Sequence, residues 1–275
     1  MRLRHQALHI LLISDPQAKA EAARALYAHH ANWQTGHLNL DAAQIAEAIS
    51  LSPGQTTTMP GRPVRPQLVS ATKVPARSPF TPEGRVALIH AICHIEFNAI
   101  NLALDAVWRF AGMPRAFYTD WLRVADEESL HFTLLREHLL GLGADYGDFD
   151  AHDGLWNMCD KTRDDILARM ALVPRTLEAR GLDATPLIQD KLTRAGDHRA
   201  VEILDIILRD EIGHVAIGNH WFHHLCREHG LDAVSLYPQL VKQYDAPRMR
   251  PPFNEAARKA AGFTEEEMAF LLGEG

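Results

Sequence analysis

Two Glu-x-x-His motifs carry the residue types that bind metal ions, namely Glu128-Ser129-Leu130-His131 and Glu211-Ile212-Gly213-His214. In each motif the Glu and the His are three residues apart, so on a helix they lie side by side on one face. Carboxylate oxygens and imidazole nitrogens both coordinate metal ions. A chain with 16 histidines is expected to contain roughly one such pair by chance. The motifs therefore need support from the elements that position them.

Apolar residues recur at helical spacing around both motifs and predict that each motif lies on a long amphipathic helix. The face shared with Glu211 and His214 contains Leu204, Ile207, Gly218, Trp221 and Leu225. The face shared with Glu128 and His131 contains Trp121, Val124, Leu135 and Leu139. A lone carboxylate on an apolar face is costly to bury unless a cation meets it. The two faces therefore favour a bound metal ion.

A further glutamate precedes each motif at a matching distance. Glu96 and Glu128 are 128 − 96 = 32 residues apart, and Glu178 and Glu211 are 211 − 178 = 33 residues apart. The midpoint of the first pair is Gly112, in a predicted turn, and the midpoint of the second is position 194.5, beside a predicted break. In an antiparallel helix pair, residues equally far from the turn lie level with each other. The chain is therefore predicted to contain two similar helical hairpins.

The carboxylates and imidazoles also have structural interpretations. Glu96 is open to interpretation as a core carboxylate paired with Arg109 or Arg123, and Glu128 as part of a solvated acidic run, 126–128. His131 and His214 are open to interpretation as core histidines whose hydrogen bonds are satisfied. These alternatives leave the matching midpoints as a coincidence.

A proline precedes the candidate ligand Glu178. Pro174 lies four residues before it and is expected to kink or end the helix, because proline has no backbone N–H. The face on which Glu178 lies cannot then be read from periodicity. A surface position at a helix end is the alternative interpretation.

Two further residues are candidates for supporting positions around the ligands. Asp210 is expected to accept a hydrogen bond from a metal-bound histidine, as such histidines usually require, or else to be a solvated helix-face residue. His94 and His90 are four residues apart, as are His220 and His224. Both histidine pairs lie off the glutamate faces, so they are predicted to pack in the core or to hydrogen-bond the metal-bound residues, and His94 is the candidate for the second role.

Three stretches resemble a known family. They are His94-Ile95-Glu96-Phe97-Asn98-Ala99-Ile100, Leu177-Glu178-Ala179-Arg180-Gly181-Leu182-Asp183 and Arg209-Asp210-Glu211-Ile212-Gly213-His214-Val215-Ala216. They are similar to the bacterial ferritin-like family catalogued as domain of unknown function 455, and the resemblance includes Gly61-Arg62-Pro63. Residues 82–229 also resemble the ferritin-like di-metal carboxylate superfamily. The resemblance implies six metal ligands, Glu96, Glu128, His131, Glu178, Glu211 and His214, but no established reaction.

The predicted fold is all-α, because no strand pattern of any length is present. Two hairpins joined by a crossover near residues 142–153 form a ferritin-like four-helix bundle at residues 81–229. Residues 1–80 contain N-terminal helices and a Pro-rich arm, and residues 230–275 form a C-terminal extension that packs on the bundle. The arm, residues 51–82, is predicted to be extended and to wrap the body, with a mobile linker as the alternative. Helices are predicted at 15–30, 41–49, 84–111, 115–142, 155–173, 186–194 and 200–225, with a last one opening at Thr264.

Composition narrows the functional classes. The net charge is −7 and no Lys/Arg run stands out, which argues against a nucleic-acid partner. The three cysteines are far apart, so a disulfide framework or a thiolate zinc site is not expected and a reducing cytoplasm fits. No apolar run is expected to reach the length of a membrane span. We expect a cytoplasmic protein without a membrane partner.

The function follows from the donor set. Four carboxylates and two imidazoles carry a charge of about −4, which two divalent ions neutralise. Oxygen and nitrogen donors without thiolate suit iron, with manganese as the alternative. The first hypothesis is an O2-activating di-iron oxidoreductase of the hydroxylase type. It would act on an unknown small molecule with an external electron donor, and a homodimer is possible. The alternatives are a ferroxidase or storage protein, a tRNA-modifying hydroxylase, and a structural bundle with a vestigial metal site.

Overall fold

The structure, a computed structural model, describes residues 2–34, 47, 49 and 59–273. Within those ranges the regular elements are helices, and an isolated parallel bridge joins Leu68 to Ala151. The predicted all-α class is confirmed. The chain divides into two compact units, residues 1–156 and 157–275.

The first unit contains two N-terminal helices and one long hairpin. Its helices are α1 (Leu3–Leu11), α2 (Pro16–Gln34), α3 (Pro82–Arg109) and α4 (Arg115–Gly141), and α5 (Gly154–Lys161) begins at its end. A single turn of 3₁₀-helix, Ala71–Lys73, lies between α2 and α3. The helix predicted at 41–49 lies outside the described residues.

The starts of α2 and α3 have the capping residues expected from the sequence. Asp15 accepts a hydrogen bond from the backbone N–H of Ala18 at 2.7 Å, and Thr81 accepts one from that of Gly84 at 3.1 Å. Such caps satisfy N–H groups that have no partner inside the helix. Gly112 adopts a φ of +77° between α3 and α4, a conformation that glycine reaches without strain. The predicted turn is therefore confirmed.

Tyr118 joins the first turn of α4 to the end of α3. Its hydroxyl donates to the backbone oxygen of Phe110 at 2.8 Å and accepts from the backbone N–H of Met113 at 3.2 Å. The side chain is fully buried. Both sides of the turn between α3 and α4 are therefore hydrogen-bonded to one side chain. This contact helps to determine which residues of α3 lie opposite which residues of α4.

The described part of the Pro-rich arm lies against the first unit. The backbone N–H of Gly61 donates to Leu11 at 2.9 Å, and Lys19 Nζ donates to the Gly61 oxygen at 2.7 Å. A Cβ at Gly61 would lie 2.2 Å from the backbone oxygen of Leu12, so only glycine fits. Arg62 pairs with Asp153 at 2.8 Å. The prediction of an arm held against the body is confirmed for residues 59–69, whereas residues 51–58 lie outside the described ranges.

Helix α3 corrects one expectation. Among the described residues it is long and apolar enough to cross a membrane by length and composition alone. Most of that apolar stretch is buried inside the fold, as in the core helix of a soluble protein. The prediction that no segment reaches this length was therefore wrong for α3, because α3 is buried on nearly all sides and has little need of a polar face.

The second unit is built on another helical hairpin and the C-terminal extension. Its elements are α6 (Ile166–Leu172), a π-helical segment (Val173–Glu178), α7 (Ala179–Arg194), α8 (His198–His229), α9 (Ala233–Gln243), α10 (Glu255–Ala260) and α11 (Glu265–Leu272). The break before α8 is confirmed, with Gly196 at a φ of +77°. The capping box of Thr264 and Glu267 at α11 is also confirmed.

Two predicted helices of the second unit have different bounds. The helix predicted at 155–173 is two helices, α5 and α6, and Asp165 caps α6 by accepting from the Ala168 N–H at 2.9 Å. The segment predicted at 186–194 is the end of the longer α7. Pro174 does not end the helix, because a π-helical segment passes the proline and continues directly into α7.

Candidate metal centre

The first unit contains a buried cluster of two carboxylates and one imidazole between α3 and α4. His131 Nδ1 lies 3.1 Å from Glu96 Oε2 and 3.4 Å from Glu128 Oε2. One ligand atom from each of the three residues lies within 4.8 Å of the others. Exposure is 3% for Glu96 and 0% for Glu128 and His131. The donor set and its compactness fit a metal ion.

The hairpin explains why these three residues meet. Glu128 and His131 are three residues apart on α4, so they share one face. Glu96 and Glu128 are each 16 positions from Gly112, since 112 − 96 and 128 − 112 are equal. The prediction that Glu96 and Glu128 lie opposite each other in the α3–α4 hairpin is therefore confirmed.

The surroundings of the cluster are apolar. Phe97 and Phe132, the neighbours of Glu96 and His131 in the chain, have ring centroids 5.5 Å apart. Burial, reinforced by the negative charge of Glu96, holds the pKa of the Cys93 thiol well above its usual value. Two carboxylates in such surroundings are costly without a cation between them. The environment therefore favours metal binding.

Arg109 is occupied elsewhere. Its Nη2 and Nε donate to Asp105 Oδ1 at 2.7 and 3.0 Å. This contact does not support the alternative interpretation in which Arg109 is the partner of Glu96. Glu96 lies beside His131 instead.

The second unit holds the second Glu-x-x-His motif on α8. His214 Nδ1 lies 3.8 Å from Glu211 Oε1, and the residues are 0% and 7% exposed. Glu178 is 8% exposed and is the last residue of the π-helical segment, which packs against α8. The surface alternative for Glu178 is therefore wrong. The convergence of all six residues on one centre stays a prediction.

The π-helical segment contains Pro174, which interrupts the α-helical hydrogen bonds. Proline has no N–H to continue an α-helical ladder. The Ala179 N–H donates to the Pro174 oxygen five residues earlier, and the Thr176 hydroxyl donates to the Ala171 oxygen at 2.7 Å. A π-helical turn holds about one more residue than an α-helical turn, which shifts the following residues by about 100° around the axis. This shift explains why the face of Glu178 could not be read from the sequence.

Gly218 allows this segment to approach α8. A Cβ at Gly218 would lie 2.6 Å from both Cβ and Cγ of Pro174, a distance that side chains do not tolerate. Gly218 lies four residues after His214, on the same face of α8. The glycine therefore sets how close the Glu178 segment lies to the Glu-x-x-His helix.

His90 and His94 are embedded in the packing of the first unit. His94 Nδ1 lies 2.9 Å from the Tyr146 hydroxyl, and its Nε2 lies 3.2 Å from the His152 backbone oxygen. The Gly147 N–H donates to His90 Nε2 at 2.9 Å. Burial lowers the pKa of both histidines to about 4. They are therefore neutral residues of the core, and a supporting role for His94 at the metal centre stays a prediction.

Asp210 contacts its neighbour in the chain. Arg209 Nε and Nη2 lie 2.8 and 3.0 Å from the two oxygens of Asp210. The predicted hydrogen bond from Asp210 to a ligand histidine stays a prediction.

Sequence reasoning missed two buried ion pairs on either side of Glu178. Arg175 pairs with Glu267, and Arg258 pairs with Asp183. The partners are 267 − 175 = 92 and 258 − 183 = 75 positions apart, so no local pattern connects them.

The comparisons with known proteins give the family. Residues 12–269 match the model of the family described as "Protein of unknown function (DUF455)". The chain belongs to this family. It is also 55% identical to a protein of Haemophilus influenzae named "Uncharacterized protein", over 76% of this chain and 75% of the relative. No solved structure matches the chain significantly.

Proposed function

We propose that the protein binds two iron ions, or two manganese ions, in a non-haem carboxylate centre and uses O2 to hydroxylate a small organic substrate. The buried cluster of Glu96, Glu128 and His131 carries this proposal. Its ligand atoms lie within 4.8 Å of one another, and oxygen and nitrogen donors without thiolate suit iron or manganese.

The second half of the proposed centre is the set of Glu178, Glu211 and His214. In the proposal the two sets converge, so that each hairpin contributes one Glu from its first arm and Glu-x-x-His from its second. That is the ligand arrangement of ferritin-like di-iron and di-manganese proteins. The matching separations of 32 and 33 residues and the burial of all six residues support it.

In the proposed reaction, the bound metal ions would bind O2 and pass on to it the electrons of an external donor. One oxygen atom enters a C–H bond and the other leaves as water, so two electrons and two protons must come from an external donor. Glu96 and Glu128 balance the charge of the ions, and His131 completes the donor set. Burial of these residues keeps bulk water away from a reactive oxidant.

Iron handling is the second candidate, because a buried carboxylate and imidazole cluster also serves a ferroxidase. Modification of tRNA is a third candidate, against which the net charge of −7 argues, since RNA binding relies on basic residues. The three candidate functions differ in their substrate, which is a small organic molecule, iron or tRNA.

Metal analysis of protein purified without oxygen, followed by rapid mixing with O2, tests the proposal. We expect two metal ions per chain and stoichiometric O2 consumption without a mineral core. Many irons per chain would favour storage instead. Protein that binds no iron or manganese when both are supplied would overturn the proposal.

Glu128→Ala tests the cluster directly. We expect the loss of at least one metal ion per chain with helicity largely retained, because the apolar faces of α3 and α4 remain. Glu127→Ala is the matched control, since it removes a neighbouring carboxylate outside the cluster. Full metal content together with loss of the fold in Glu128→Ala would make the residue structural.

A further inference from the structure

Buried ion pairs from the C-terminal extension hold the segment around Glu178 within the second unit. Arg175, three residues before Glu178, has its Nη2 2.5 Å from Glu267 Oε1. Asp183, five residues after Glu178, receives Nη2 and Nε of Arg258 at 2.6 and 3.0 Å. The extension therefore holds the chain on both sides of Glu178.

The backbone beside Glu178 is also held. Arg258 Nη2 lies 3.3 Å from the backbone oxygen of Ala179, the residue directly after Glu178. Asn254 donates its backbone N–H to Asp183 at 2.8 Å and its side-chain amide to the Leu182 oxygen at 3.1 Å. The extension therefore contacts backbone atoms of this part of the chain in addition to its side chains.

Arg175 lies in an aromatic enclosure. Its guanidinium lies 4.8, 5.2 and 5.0 Å from the ring centres of Phe222, Tyr237 and Phe263. The residue is 3% exposed. A buried arginine among rings is held in one geometry by cation–π contacts and by packing. Arg175 is thus a rigid anchor in the π-helical segment.

Glu267 collects three donors at the start of α11. Besides Arg175, His223 Nε2 lies 2.7 Å from its Oε1, and the Thr264 N–H donates to its Oε2 at 2.9 Å. Burial alone would raise the pKa of Glu267, but the His223 bond, the Arg175 charge and the Thr264 N–H outweigh it and lower the pKa to about 2. The Glu267 carboxylate is therefore ionised at neutral pH.

The segment needs such support. Isolated π-helical turns are rare and less stable than α-helix, and they occur often at functional sites. Irregular backbone persists only where its surroundings hold it. Pro174 of the segment packs closely against Gly218. The two ion pairs, Arg175 with Glu267 and Asp183 with Arg258, connect the chain on both sides of Glu178 to the C-terminal extension.

We infer that Arg175, Asp183, Arg258 and Glu267 are positioning residues that keep Glu178 in place as a metal ligand, so that metal affinity depends on the C-terminal extension. The inference rests on the proposed function, in which Glu178 binds metal. Their contacts described above act on the chain on both sides of Glu178, at Arg175, Ala179 and Asp183.

Titration of the metal-free protein with Co²⁺, followed by its visible absorption, tests the inference. We expect Glu267→Gln and Arg258→Met to weaken the affinity of one of the two ions by about 10- to 100-fold, the usual effect of losing a supporting residue. The Co²⁺ spectrum should change as well, because a displaced Glu178 alters the coordination. Lys259→Met is the matched control, because it removes an exposed ion pair with Glu265 in the same extension.

A double-variant cycle separates positioning from general destabilisation. In a Glu178→Ala background, Glu267→Gln should weaken Co²⁺ binding no further, because the ligand that it positions is gone. Additive weakening would overturn the inference. Should Glu267→Gln fail to fold, Asp183→Asn provides the same comparison on the other side of Glu178.

The inference and the proposed function fail in different ways. If Glu178→Ala binds Co²⁺ as tightly as the unmodified protein, the proposed role of Glu178 is wrong. If Glu178→Ala weakens binding while Glu267→Gln, Arg258→Met and Asp183→Asn do not, only the positioning inference is wrong.

Discussion

The α3–α4 hairpin and the hairpin formed by the π-helical segment, α7 and α8 carry Glu and His residues at nearly the same separation, but they hold them differently. Glu96 lies in a regular helix beside His131, and the ring of its chain neighbour Phe97 packs against that of Phe132. Glu178 ends an irregular segment held by two buried ion pairs.

The difference teaches how one ligand pattern is supported in two ways. A regular helix needs no outside contact to set the direction of its side chains, because its period does so. A π-helical turn has no such guarantee, so distant residues must fix it. We therefore expect the two hairpins to respond differently to substitution and to pH.

The largest effect is expected for the residues that are proposed to bind the metal ions. Glu96→Gln and Glu178→Gln should each weaken metal binding by more than about 100-fold, beyond the usual effect of a supporting residue. In the metal-free protein, Glu96→Gln should raise the free energy of unfolding by about 1 kcal/mol, because it removes a buried carboxylate beside another. Chemical unfolding with a chelator present measures this change. A loss of stability in Glu96→Gln would show that the carboxylate pair is structural.

A pair of glycines on α8 tests the close approach in the second hairpin. Gly218→Ala should lower stability by about 1–3 kcal/mol, as overpacking does, because the new methyl group meets Pro174 at 2.6 Å. A Cβ at Gly213 meets nothing within 4 Å, so Gly213→Ala should be neutral or stabilise by up to about 1 kcal/mol. Thermal unfolding of both variants decides. Equal effects would show that the contact is not strained.

Acid should weaken the first hairpin through His90. Burial lowers the pKa of His90 to about 4, against a negative Asp148 and Asp145 that act to raise it. The folded state therefore binds the proton less well than the unfolded state, and stability falls as the pH drops from about 6.5 to 4. In metal-free protein, the free energy of unfolding of His90→Phe should decrease by about 1–3 kcal/mol less over this pH range than that of the unmodified protein. An unchanged pH profile would mean that His90 is protonated in the fold.

Glu267 should give the second unit a response to acid at lower pH than that of the first hairpin. Its pKa is lowered to about 2 from 4.5, so its contribution is fully present above pH 4.5 and is lost as the pH falls towards 2. The protection factors of residues 173–183, which correct hydrogen exchange for its intrinsic dependence on pH, should stay high at pH 5 and fall below pH 4. The same residues in Glu267→Gln should already exchange faster at pH 7. Identical exchange in both proteins would show that Glu267 does not stabilise residues 173–183.

The first hairpin was predictable almost completely from the sequence. Thr81, Gly112 and the faces of Glu96, Glu128 and His131 are signals within a few residues of the structure that they predict. The second hairpin was predictable only in its long helix and its break at Gly196. The helix at 155–173 was predicted as one element because its apolar spacing continues across the gap between α5 and α6.

The sequence by itself determined the helical class, the two turns and the presence of Glu-x-x-His on an apolar face. Helical period and distance from a turn are local quantities, so residue types and spacing are enough to establish them. Only the tertiary structure decided how the chain passes Pro174 and which charges hold Glu178. A proline permits a kink, an end or a π-helical turn, and the choice depends on packing against Gly218 and on Arg175 and Arg258 reaching partners 92 and 75 positions away.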